Sequence, residues 1–184
     1  MAKTKLSTAA YVTRGYGQVE PNHLSAQRTA QIYAQLPLAD TLTKVENGQF
    51  VKYDYANKEV NLTGDGEWML VFNEVKLYGE REQYEDFVFD NTVSSAHGVV
   101  NMTAVSTTIN GNPVPRVFKT NVGDIFTTNA IQAAAGSLED GDKLAVGADG
   151  FLAPTETTEG MIWQVAKVYT LADNQPAVKI IRIQ

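Results

Sequence analysis

The chain has 184 residues, 43% of them hydrophobic and 20% charged, with a formal net charge of −6. That mixture suits a globular protein with a buried core, built as one domain or as two small ones of roughly 70 residues, and its acidic balance disfavours a nucleic-acid partner. The absence of cysteine excludes disulfides, thiolate catalysis and sulfur-ligated zinc.

The longest apolar runs, such as Trp68 to Phe72, fall far short of the ~20 residues that a membrane span needs, so no membrane partner is expected. Lys3 and Lys5 give a basic start, but Ser7 and Thr8 interrupt Leu6 to Val12 and leave no signal core. The chain is therefore read as mature from its first residue and made in the cytoplasm.

In chain order, residues 1–22 carry Lys3, Lys5 and Arg14 against the single carboxylate Glu20 and show no sustained hydrophobic period. They read as an arm, either a frayed terminus or a segment that orders on a neighbouring subunit. The Ala, Gln and Arg content from Leu24 to Leu36 predicts one short helix, capped by Ser25 and stopped by Pro37. Strands separated by turns follow to the C-terminus. Asn47-Gly48 leads into a strand at Phe50–Tyr55, Lys58–Leu62 returns, and Gly64-Asp65-Gly66 leads into Trp68–Phe72, apolar enough to be buried on both faces. Val75, Leu77 and Tyr78 continue it, and Glu80 to Asp86 reads as a solvated acidic turn. Asn110-Gly111-Asn112-Pro113 is a strong breaker near the module boundary. Beyond it, Gly123-Asp124 and Gly141-Asp142 each feed a strand, and Asp149-Gly150 joins Leu144–Val146 to Phe151–Ala153 as a hairpin. Met161–Leu171 and the alternating Ala177–Ile183 complete the sheet.

The expected fold is mainly β: small β-barrel or β-tulip-like modules with an extended N-terminal arm and one short helix. The division is 1–40 for arm and helix, 41–115 for a first β module and 116–184 for a C-terminal barrel-like module. Glu46-Asn47-Gly48 set beside Glu139-Asp140-Gly141, with Trp68 and Tyr78 beside Trp163 and Tyr169, suggests a repeat whose glycines, tryptophans and tyrosines are offset by 93, 95 and 91 residues.

Chemistry is sparse. His23 and His97 have no metal-ligand spacing, no serine lies in a nucleophile elbow, and no glycine pattern makes a phosphate cradle. Glu67, Glu74, Glu80, Glu82, Glu85 and Asp86 could meet as acid and base, but clustered carboxylates are usually solvated. Asp140, Asp142 and Asp149 lack calcium-loop spacing. No enzyme, cofactor or metal is expected. Trp68, Phe72, Tyr78, Trp163 and Tyr169 read as core rather than as a sugar platform. Tyr11, Tyr16 and Tyr33, with Arg14 and Arg28, sit in the arm and first helix and are the interface candidates.

The second half, with Gly123-Asp124-Ile125-Phe126-Thr127-Thr128-Asn129, Gly141-Asp142-Lys143-Leu144, Gly147-Ala148-Asp149-Gly150-Phe151 and the closing Ile162-to-Val168 strand, resembles the small β-barrel or β-tulip decoration proteins of tailed phages. The stretch from Glu46 to Phe87 resembles phage structural proteins more broadly. The resemblance covers about the last 65 residues and rests on pattern, so it supplies no catalytic residue. It implies a virion structural protein on the capsid surface that binds the major capsid protein and stabilises the head. A homo-oligomer would follow, with a trimer as one option. The alternatives are a host- or glycan-recognition module such as a head-fibre base, which exposure of Trp68 or Trp163 would favour, and another virion or tail component.

Overall fold

The computed structural model describes residues 7–73 and 112–184, together with the backbone of two short strands between them. In chain order the elements are β1 (Val19–His23), α1 (Ala26–Thr29), β2 (Ile32–Tyr33), β3 (Lys44–Glu46), β4 (Phe50–Asp54), β5 (Glu59–Asn61), β6 (Met69–Val71), β7 (Val88–Asp90), β8 (Thr108–Ile109), β9 (Asn112–Pro113), β10 (Val117–Phe118), β11 (Ile125–Thr128), β12 (Lys143–Val146), β13 (Leu152–Pro154), β14 (Ile162–Thr170) and β15 (Pro176–Arg182). The fold is mainly β, as the turn and strand pattern predicts. Two antiparallel sheets dominate: β1-β11-β15-β14-β12-β13 and β2-β10-β6-β4-β5. Two-stranded pairings β3-β7 and β8-β9 complete the set, and no closed barrel is found among the described residues. The acidic stretch Glu80–Asp86, the residues Glu74, Val75, Leu77, Tyr78 and His97, and the Asn110-Gly111 turn lie outside the described residues.

The turn dipeptides act where they stand. Asp149-Gly150 closes the β12-β13 hairpin, with Val146 opposite Leu152, and Gly150 takes the positive φ of 80° that such turns favour. Trp68–Phe72 yields β6, whose three residues are all buried because Val71 and Leu70 pair with β10 on one side while Met69 and Leu70 pair with β4 on the other.

The two sheets repeat one topology. β2-β10-β6-β4-β5 and β11-β15-β14-β12-β13 carry the same chain order of five strands and are antiparallel throughout. Strand starts coincide at the 93-residue offset: Ile32 with Ile125, Phe50 with Lys143, Glu59 with Leu152, and Met69 with Ile162. Each unit also contains one isolated parallel bridge, Leu38 to Val60 and Ile131 to Leu152. The turns before β4 and β12 match in detail. The Glu46 N–H donates to Gln49 Oε1 at 3.2 Å, and the Glu139 N–H donates to Asp142 Oδ2 at 2.8 Å. Gly48 and Gly141 both hold positive φ, 88° and 101°. The tryptophans are not equivalent, however. Met69 opposes Val51 as Trp163 opposes Leu144, which leaves Trp68 one step out of register.

The units stack in tandem. Val51, Tyr53, Val60, Met69, Val71 and Val117 of the first sheet cluster with Leu38. Phe50, Leu70, Phe72 and Phe118, on the opposite face, join Leu144, Trp163, Val165, Val178 and Ile180 of the second unit in a larger core. Phe50 and Phe126 lie 5.8 and 5.1 Å, ring to ring, from Trp163. At the position of Phe50 the second sheet has exposed Lys143.

The helix expected from Leu24 to Leu36 is corrected to four residues. Ala30 adopts a left-handed conformation at the C-cap, and Ile32 and Tyr33 pair with Phe118 and Val117. Pairing with a strand more than 80 residues away therefore overrides local helix propensity. Ser25 occupies the N-cap position but caps nothing. Its hydroxyl donates to Asp124 Oδ2 at 3.0 Å instead.

Candidate interaction surface

From Ser7 onwards the arm is part of the body. Ala9, Tyr11 and Val12 are fully buried, and β1 forms the outer strand against β11. Between them, side chains distant in sequence hold the backbone of Arg14 to Gln18. The Gly17 N–H donates to the buried Glu46 carboxylate at 2.6 Å, and the Gln18 N–H to Asn129 Oδ1 at 2.7 Å. The Thr128 hydroxyl donates to the Gln18 carbonyl at 2.6 Å. The Arg14 N–H donates to Gln175 Oε1 at 2.9 Å, and the Gln18 amide to Asp173 at 3.0 Å. Gly17 is required here, because a Cβ would collide with the Asn47 carbonyl. Burial on its own would raise the Asp173 carboxyl. Hydrogen bonds from Gln175 and Gln18 outweigh it and hold the group below its ordinary 3.8.

The five interface candidates do not meet on one face. Tyr11 is fully buried in the larger core, with its hydroxyl unpaired among the described residues, so its ring packs inside its own chain and displays nothing to a neighbour. Tyr16 is half-buried in the stitched arm, and Arg14 beside it is exposed. Arg28 is exposed in the last turn of α1. Tyr33 lies on β2, edge-on to Tyr53 at 5.6 Å.

The large apolar side chains that reach solvent among the described residues were not among the candidates. They are Tyr55 (69% exposed), Val122 (66%), Val168 (41%), Ile183 (38%) and Tyr169 (36%). Val168 and Tyr169 belong to a run of five exposed residues at the end of β14. There β14 outruns β12, which pairs only with Ile162 to Gln164. The signal was present in the sequence as an apolar run, Met161 to Leu171, much longer than the strands around it.

Among the described residues no group of three His, Asp or Glu is placed to hold a metal, and no helix is long and apolar enough to cross a membrane. Trp163 is fully buried, and Trp68 is half-buried with Lys52 Nζ 4.8 Å above its ring. Compared with known proteins, the chain matches no family model, and neither a curated protein nor a solved structure is significantly similar to it.

Proposed function

We infer that the chain is a virion structural protein that binds the major capsid protein lattice of a tailed phage and stabilises the head. The observation that carries this reading is the display of large apolar side chains, Tyr55, Val122, Val168, Tyr169 and Ile183, on a body made of two stacked β units. A lattice protein acts by burying preformed surface against its neighbours, and exposed apolar residues mark where that burial occurs. The turn and strand pattern of the second half, which resembles phage decoration proteins, supports the same reading. A glycan-binding module would need a displayed aromatic platform. One of its two tryptophans is in the core and the other lies beneath a lysine, so the runner-up draws no support from them.

The test is co-sedimentation of the full chain with undecorated capsids of the phage that encodes it, beside the double variant Val122→Ser and Ile183→Ser and the single variant Tyr55→Ser. Saturable binding, weakened at least tenfold by one of these sets, is expected. Folded protein that fails to bind overturns the reading. Deleting the arm is a poor probe, because removing Tyr11 and Val12 would open the core.

A further inference from the structure

The two units invite a comparison of their matching turns. In the first, Glu46, Asn47 and Gln49 are 1%, 1% and 5% exposed, covered by the arm, whose Gly17 N–H reaches the Glu46 carboxylate, and by the second unit, whose Asp149 carbonyl accepts from the Gln49 amide. In the second, Glu139, Asp140 and Asp142 are all exposed. The missing Cβ of Gly48 faces Thr128 and Ala130, whereas that of Gly141 faces open space. The chain thus contains two copies of one turn and a single arm, which with the second unit covers the first and leaves the second uncovered.

The next strand shows the same difference. Asn47 Oδ1 accepts the Asn73 N–H at 2.8 Å, and its amide donates to the Asn73 carbonyl at 3.1 Å. At the matching place Asp140 Oδ1 accepts the Val168 N–H at 2.8 Å. The offset grows to 95 residues there because β14 has a bulge between Val165 and Lys167. An ionised aspartate has no proton to give. The Val168 carbonyl, which points away from β15 as its N–H does, has no partner among the described residues. Thr170, two residues on, stands opposite Pro176. Residues two apart on a strand present their backbone groups to the same side, so those of Thr170 face the same open edge as those of Val168, and Pro176 opposite has no N–H to share. Along this edge Val168 and Tyr169 are exposed. Lys167 is exposed in the same stretch, and a lysine at a sheet edge disfavours two copies of that edge pairing with each other.

We propose that the Glu139–Asp142 turn and the Val168–Thr170 edge form a docking seat for an extended, glycine-bearing segment of another polypeptide. Such a segment donates a backbone N–H to the Glu139 carboxylate, as Gly17 does to Glu46, and another to the Val168 carbonyl. Its glycine crosses the turn where a side chain would collide. This is strand addition at a sheet edge, and it does not rest on the capsid reading.

The test uses the full ¹⁵N-labelled chain, titrated with a synthetic peptide of the sequence of residues 14–20 and with the same peptide carrying Gly17→Val. Saturable perturbation of the amides of residues 139–142 and 166–170 is expected, lost with the valine peptide. Glu139→Gln, which keeps an acceptor oxygen but not its charge, is expected to weaken binding about tenfold, the difference between a hydrogen bond to a charged acceptor and one to a neutral acceptor. Asp140→Asn, which gives the Val168 carbonyl the donor that Asn47 gives Asn73, is expected to weaken it too. Both substitutions are isosteric and exposed, and circular dichroism checks their folding. The proposal is overturned by no perturbation, by perturbation confined to residues 46–49 and 128–130, by equal binding of the valine peptide, or by unchanged binding in both variants.

Discussion

The backbone N–H of Gly17 donates to the carboxylate of Glu46 at 2.6 Å, inside the protein and 29 residues along the chain. Removing the acceptor leaves a buried donor unpaired. Glu46→Ala is therefore expected to cost about 1.5–3 kcal/mol, read as a lower urea midpoint. It should also give faster amide exchange from Tyr16 to Gln18. Glu46→Gln keeps an acceptor oxygen and should cost less.

Tyr11 separates two contributions of one side chain. Its ring fills the core, so Tyr11→Ala is expected to destabilise by about 3–5 kcal/mol, the range for a large aromatic truncated in a core. Its hydroxyl is buried without a partner among the described residues, and a buried unpaired polar group is unfavourable. Tyr11→Phe is therefore expected to leave the melting temperature unchanged or to raise it. A fall of several degrees would show that the hydroxyl has a partner.

How far the sequence could be read depends on whether the deciding contact is local. The Asp149-Gly150 hairpin, the buried β6 and the C-terminal β15 follow from turn chemistry and apolar pattern within a few residues, and all three form. The short helix forms but stops at Thr29, because the partner of Ile32 and Tyr33 is β10, a pairing no local window contains. The anchoring of the arm is hidden for the same reason. Its backbone bonds go to Asn129, Thr128 and Gln175, more than 100 residues away, so it has no period of its own. The repeat was visible at Gly48 and Gly141, where a turn demands positive φ. It was blurred at the tryptophans, since a core position tolerates Met69 in one unit and Trp163 in the other. At the candidate surface, Tyr11 was misplaced because an aromatic in a polar segment looks exposed until its packing partners are known.

Asp173 links the arm to the β14-β15 turn, accepting from the Gln18 and Gln175 side chains at 3.0 and 2.6 Å. Its folded pKa lies below its unfolded value of about 3.8. The stabilisation is then fully present above that value and is lost as the pH falls through the lower folded pKa. Acid titration followed by amide exchange at Gln18 should show loosening only below about pH 3.8. Asp173→Asn should abolish that step. Loosening already at pH 5 would assign the arm to another group.

Gly48 and Gly141 offer a matched pair for measuring what the tandem packing adds. Both hold positive φ, so alanine at either site suffers backbone strain of about 1–3 kcal/mol. At Gly141 nothing lies within 4 Å of the new Cβ, and strain is the whole cost. At Gly48 the Cβ would stand 2.5 Å from Thr128 Oγ1 and 2.6 Å from the Ala130 Cβ, and overpacking adds about 1–3 kcal/mol. The Thr128 hydroxyl also holds the Gln18 carbonyl, so displacing it releases the arm as well. Denaturant unfolding of the two variants should therefore show Gly48→Ala to be the more damaging by more than about 1 kcal/mol, with amide exchange at Gln18 accelerated in that variant alone. Equal losses would mean that the first turn is not clamped between the units.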